Sequence, residues 1–258
     1  MRYFLELQYK GTNYAGWQVQ DNAIAVQQKL DEALAILLQH NVNSLGCGRT
    51  DTGVHATQFF AHFDSEKEIN SKEKFVFSLN GILPHDICIL DLHSVHDDAH
   101  ARFDATARTY YYFIHTSKNP FLKNTALFFN KPLNFDLMIE ACELMKTYSD
   151  FSCFSKSRTQ VKTNICNITY AMWQHEDDLL QFKISADRFL RGMVRTVVGT
   201  MLQLGEGRIS INDFENILKN KNRKEAGQAV DACGLYLTEI KYSYIVSTKK
   251  NTFALKML

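Results

Sequence analysis

Two hydrophobic periods alternate along the 258-residue sequence, and this alternation limits what the chain can fold into. Residues 2–9, RYFLELQY, alternate apolar and polar positions and are rich in aromatics, which is the pattern of a half-buried strand. Residues 25–39, AVQQKLDEALAILLQ, place Val26, Leu30, Ala33, Leu34 and Leu37 on one face of a helix. After a loop at 46–53, HATQFFAHF reads as a strand. SKEKFVFSLNGIL reads as a short helix capped by Ser71 and ending at Asn80-Gly81, and DICILDLHSV and ATARTYYYFIHT read as strands. The second half carries a helix in NFDLMIEACELMK and a hairpin turning at Glu176–Asp178. A helix over LRGMVRTVVGTMLQLGEG ends at Gly205 and Gly207. SINDFENILKN, capped by Ser210 or Asn212, forms a shorter helix, and CGLYLTEIKYSY closes the chain as a strand. The order predicts an α+β protein of two domains, 1–104 and 105–258, with mixed or antiparallel sheets.

Composition narrows the class. With 45% hydrophobic and 22% charged residues and only three prolines, the chain has the make-up of a folded protein without a Pro-rich linker. The N-terminus, MRYFLELQYKG, alternates where a signal peptide needs a continuous apolar stretch, and no run has the length of a membrane span, so a cytoplasmic protein is expected. The six cysteines (47, 88, 142, 153, 166 and 233) form no C-x-x-C pair and are read as reduced thiols rather than a disulfide framework or a zinc site. A formal net charge of +1 gives no global basic field. Local clusters at Lys156 and Arg158, at Arg188, Arg191 and Arg195, and at Lys219, Lys221, Arg223 and Lys224 are either solvated faces or parts of a basic cleft.

The stretch GCGRTDTGVHATQFFAHF, residues 46–63, is the richest in chemistry. A lone Asp in a turn commonly serves a local Asx hydrogen bond. Here Asp51 is flanked by Gly46, Gly48 and Gly53, which let backbone approach a ligand, and by Arg49, which can contact a phosphate or a base. A carboxylate held between glycines and a packed strand suits a nucleophile or a general base. Asp51 and His55 are four apart, but two ligands do not make a metal site, and without a Lys after the glycines the stretch is no P-loop.

Two further segments join it. In RFDATARTYYYFI, Tyr110 and Tyr112 share one strand face and Tyr111 takes the other. The segment is either an aromatic core strand or a stacking platform for a base, with Arg102 and Arg108 on its flanks. In RFLRGMVRTVVG, helical spacing sets Arg188, Arg191 and Arg195 along one side. The valine-rich surroundings put Arg195 against the core, where it needs an anion, either a structural acid or Asp51 itself.

Several segments together resemble one family. GRTDTGVHA is similar to the G-R-T-D-A-G-V-H-A signature of the tRNA pseudouridine synthase A (TruA) family, with Thr52 in place of the usual Ala. YKGTNYAGWQVQDNAIAVQQKLDEAL resembles that family's first strand, loop and helix. FDATARTYYYFI and FLRGMVRTVVGTMLQLGEG resemble its tyrosine strand and M-V-R helix, and CGLYLTEIKY resembles its closing strand, here without the usual Pro-containing lead-in. The resemblance runs in order over nearly the full chain.

It implies a pseudouridine synthase fold, two related α+β domains whose sheets join across a central catalytic cleft. It implies an enzyme that isomerises uridine to pseudouridine at positions 38, 39 and 40 of the tRNA anticodon stem-loop, as a homodimer, without cofactor or metal. By the same resemblance Asp51 matches the catalytic aspartate, Tyr110 the tyrosine that stacks on the target base, and Arg195 the arginine that pairs with the aspartate. Arg49 matches the arginine that helps extrude the nucleotide, and Arg108 joins Tyr110 and Arg49 in substrate binding. Two other classes are weighed beside it. A non-catalytic RNA-binding protein has no use for a carboxylate on a phosphate-binding surface. A glycosidase-like hydrolase wants a second carboxylate that these motifs do not supply.

Overall fold

The computed structural model describes residues 1–156 and 163–245. The chain divides into two compact units, one of Met1–Thr106 together with the chain from Tyr236, the other of Ala107–Leu235. This differs from the expected division at 104, chiefly because the closing strand groups with the first unit.

In the first unit, strands β1 (Arg2–Tyr9), β3 (His55–Asp64), β4 (Ile87–Val95) and β9 (Leu235–Lys241) lie in the order β4-β1-β3-β9, with the short β2 (Leu45–Gly46) on β3. β1 runs antiparallel to both β3 and β4, from Arg2↔Asp64 and Arg2↔Val95 onward. β9 runs parallel to β3, with His55 opposite Tyr236. Parallel neighbours need a long crossover, so sequence distance gives no hint of this pairing. The side chain of Gln58 ties it down, accepting from Ile240 N at 2.8 Å and donating to the buried Glu6 carboxylate at 2.7 Å.

Helix α1 (Val26–Leu38) buries Val26, Leu30, Ala33 and Leu34 as its periodicity predicts, while Leu37, expected on the same face, is only half-buried near the helix end. Helix α2 (Lys72–Ile82) starts where expected, with Ser71 accepting from Lys74 N at 3.4 Å. It does not stop at Asn80-Gly81. Asn80 holds β4 instead, donating to Ile89 O at 2.9 Å and accepting from Ile89 N at 2.7 Å. Phe75 of α2 stacks on Phe63, and Phe63 on Tyr3, which builds the core on one face of the sheet. The other face carries Phe4, Glu6, Gln58, Phe60 and His62 under the rings of Tyr242 and Tyr244.

In the second unit, β5 (Ala107–His115), β8 (Leu179–Ala186) and β7 (Ile168–Glu176) form an antiparallel sheet, with β6 (Leu127–Phe128) parallel to β5. Helix α3 (Phe135–Met145) packs on β7 and on α4 (Met193–Gly205), and α5 (Ile211–Asn220) packs on α3. The expected hairpin turn is present at Asp177 and Asp178, and Ser210 and Asp213 form a reciprocal capping box on α5. Trp173 donates to the sulfur of Met201 at 3.1 Å inside this core. Both units are α+β with a mixed sheet. Among the described residues no helix is long and apolar enough to cross a membrane.

Candidate active site

Asp51 sits on a turn that two separate segments hold, the end of β1 and the loop at 14–17. The hydroxyls of Tyr9 and Thr50 meet at 2.9 Å in the interior. Trp17 N donates to Thr50 O at 3.3 Å, Gly53 N to Tyr14 O at 3.2 Å, and Val54 N closes back onto Asp51 O at 3.2 Å. Gly16 lies so close beneath that a Cβ built on it falls 2.2 Å from Thr50 O. Asp51 is half-buried, Thr50 buried, and Arg49 and Thr52 exposed. The turn thus fixes a carboxylate at the surface while Arg49 and Thr52 stay accessible.

One expectation for this stretch changes. Gly46 does not leave room for a ligand, because a Cβ there falls 2.5 Å from the indole nitrogen of Trp17, which stacks on Phe59 at 4.2 Å. The His55 imidazole has a structural place. Its Nδ1 accepts from Gly11 N at 3.1 Å and its ring stacks on Tyr236 at 4.5 Å, so it pins the loop and the parallel strand. The bracing set of Tyr9, Trp17 and Thr50 was not singled out from sequence. Its local signal is the pair Gly16-Trp17 in the loop before α1.

In the second unit, Tyr110 is half-buried on β5 opposite Ile184, and its ring meets Phe189 edge-on at 5.1 Å. Tyr112, two residues on, is fully buried and donates to Asp231 O at 2.7 Å, a core role. Burial also raises its phenol above the ordinary tyrosine value. Arg108 donates through Nη1 to Asp187 O at 2.8 Å. Arg195 donates through Nε to Val230 O at 2.6 Å, while Val230 N returns a bond to Arg195 O at 3.2 Å. Arg195 occupies the first turn of α4, where the helix dipole disfavours a cation unless an anion faces it.

The row of three arginines on one helix side is not formed. α4 begins at Met193 because Gly192 takes a left-handed φ of 71° as its N-cap, which leaves Arg188 and Arg191 in the preceding segment. The cluster near Lys219 resolves into surface structure. Lys219 pairs with Glu215 at 2.8 Å, Lys221 with Asp150 at 3.1 Å, and Arg223 caps the carbonyls of Ala226 and Gly227. Lys156 is exposed, and Arg158 lies outside the described residues.

Among the described residues one group could offer three metal-ligand atoms within 4.8 Å of one another, Glu6, Asp91 and His93. Glu6 is buried and already held by Gln58 and by His93 Nε2 at 3.3 Å, which makes the group a polar tie between strands. The thiols of Cys142 and Cys153 are buried and pushed up to about 12, which removes them as nucleophiles.

A chain with a braced surface carboxylate and a half-buried tyrosine and arginine has close relatives of known kind. A family model described as tRNA pseudouridine synthase matches residues 143–243. The chain is 47% identical over 243 residues to tRNA pseudouridine synthase A of Parabacteroides distasonis, covering 93% of this chain and 96% of the relative. It is 48% identical over 242 residues to the protein of that name from Bacteroides fragilis, with coverage of 93% and 96%. With that of Clostridium acetobutylicum it shares 36% over 240 residues, 92% of this chain and 98% of the relative. Similarity of this extent takes in both units and every candidate residue above, and the chain belongs to the tRNA pseudouridine synthase A family.

Proposed function

We propose that this enzyme isomerises uridine to pseudouridine at positions 38, 39 and 40 of the tRNA anticodon stem-loop, with Asp51 as the reacting carboxylate. The observation that carries the reading is the fixed presentation of Asp51, a half-buried carboxylate on a turn tied to Tyr9, Tyr14 and Trp17. The reaction breaks the C1′–N1 bond, turns the uracil and joins C5 to C1′. The C5 proton leaves and N1 gains one, so no electrons are exchanged with a cofactor. A carboxylate serves either by adding to C6 of the base or by acting at the ribose so that the base departs.

The target nucleotide must leave its stack, at a cost of a few kcal/mol. Arg49, exposed beside Asp51, takes the vacated place and contacts phosphate. Tyr110 stacks on the extruded uracil, and its hydroxyl helps to remove the C5 proton. Arg108 joins in holding the substrate. Arg195 serves as the partner of Asp51, a role supported by the place of Arg195 in the first turn of α4, where a cation calls for an anion. The enzyme works as a cytoplasmic homodimer without metal.

The test is tritium release from an anticodon stem-loop transcript labelled at C5 of uridine, with no cofactor added. Wild-type protein releases tritium and leaves the RNA intact, and Asp51→Ala and Asp51→Asn release none. Turnover at the wild-type rate by Asp51→Asn would remove Asp51 from the chemistry. Free uracil among the products would mean hydrolysis.

A further inference from the structure

The segment His100–Asp104 presents two side chains that the reading above leaves unused. Phe103 is 73% exposed. The guanidinium of Arg102 lies over its ring at 5.6 Å, and His100 packs beneath it at 4.2 Å. His100 in turn meets His62 at 4.7 Å, and His62 stacks on the buried Phe4 at 5.8 Å. A column of rings therefore runs from the core of the first unit to an aromatic face in solvent.

Every backbone N–H of this segment already has an acceptor. His100 N donates to Asp104 Oδ2 at 2.8 Å and Ala101 N to His62 Nδ1 at 3.2 Å. Arg102 N and Phe103 N both donate to His100 Nδ1, at 3.1 and 3.3 Å, and Asp104 N returns to His100 O at 3.0 Å. Tyr242 and Tyr244 bind Ala101 O and Asp104 from the closing segment. All five N–H groups are satisfied internally, so the loop holds one shape, and what it turns outward is Phe103 with a cation beside it. A lone exposed apolar side chain needs no explanation. A rigid aromatic face paired with a guanidinium is a surface suited to a nucleobase joined to its phosphate, because stacking on a ring already fixed in place costs little ordering.

We propose that Phe103 and Arg102 form a second RNA contact, a stacking platform for an unpaired base of the tRNA outside the reacting nucleotide. The platform hangs on His62, seven residues along β3 from His55, the end that carries the Asp51 turn. At the rise of an extended strand this is about 23 Å away. The base it holds is therefore remote from the chemistry, and the contact contributes binding that is equal in ground and transition states. The proposal rests on the tRNA reading of Asp51 for its ligand, and its test is independent of turnover.

The experiment measures binding of a whole tRNA transcript and, separately, steady-state isomerisation. Phe103→Ala weakens tRNA binding roughly 5- to 100-fold, the worth of one stacked base, and raises KM rather than lowering kcat. Phe103→Trp retains affinity, and its new indole is quenched by tRNA but not by heparin, which has charge without bases. Trp17 and Trp173 are both buried, so they contribute little to that change. Phe103→Ala with wild-type affinity, or Phe103→Trp quenched equally by heparin, overturns the platform. If wild-type protein binds tRNA and fails to isomerise it, the function proposed above fails and the Phe103 result still stands or falls on binding alone.

Discussion

Tyr9 and Thr50 join hydroxyl to hydroxyl at 2.9 Å, buried one residue before Asp51. The bond links the end of β1 to the turn that carries the carboxylate, so core packing sets where Asp51 stands. Tyr9→Phe keeps the ring and removes this bond. The expected cost is about 1–2 kcal/mol in chemical denaturation, together with a several-fold fall in kcat and little change in tRNA affinity. A variant with unchanged kcat would show that the bond supports the fold and not the position of Asp51.

Gly16 and Gly48 separate two roles for glycine around this turn. Gly16 has φ +88° and leaves no room for a Cβ over Thr50 O, whereas a Cβ on Gly48 meets nothing within 4 Å. Gly16→Ala is expected to destabilise by about 2 kcal/mol or more, and Gly48→Ala by less than about 0.5 kcal/mol. Thermal melts of the two variants side by side check this.

Arg195→Lys keeps the charge but loses the planar fork that reaches Val230 O. Isomerisation is expected to fall at least about tenfold with the fold intact by circular dichroism. Wild-type turnover in this variant would reduce Arg195 to a helix-packing residue.

The imidazoles of His62 and His100 both accept backbone N–H groups at Nδ1, so both are needed neutral. Burial holds His62 down to about 4 and lowers His100 from the ordinary value of 6.5; the charges of His100 and Arg2 add to the shift at His62, and Asp64 and Asp104 oppose it. Between those values the unfolded chain binds more protons than the folded one. Stability is therefore complete above about pH 6.5 and falls as the pH drops towards 4, by up to about 1.4 kcal/mol per pH unit from His62 alone. Urea titrations at pH 7, 6 and 5 check the slope. His62→Gln, which supplies an acceptor that does not titrate, is expected to flatten it.

Binding of tRNA is expected to weaken with salt despite the net charge of +1, with a log–log slope of about 0.7 for each phosphate neutralised on a single strand. Fluorescence anisotropy across a salt series measures it. A flat profile would leave the arginines near Asp51 and Tyr110 without phosphate contacts.

The sequence by itself determined the elements. Local periodicity and capping residues act within a few positions, which is why α1, the start of α2, the hairpin at Asp177 and the capping box at Ser210 are where the residues put them. The motif around Asp51 was legible for a similar reason, since Arg, Asp and glycines in one short run have few structural uses. Tertiary structure decided what depends on residues far apart. Asn80 continues a helix it was expected to end because its side chain has partners on β4, and Gly192 delays α4 by taking a conformation that no periodicity reveals. The closing strand joins the first unit because Gln58 and the register beside His55 receive it, across more than half the chain. The same holds for Tyr9 against Thr50 and for His62 beneath the Phe103 loop. Hydrogen bonds and ring contacts between distant segments exist only once the sheet is formed, and these contacts fix the carboxylate and the exposed aromatic in place.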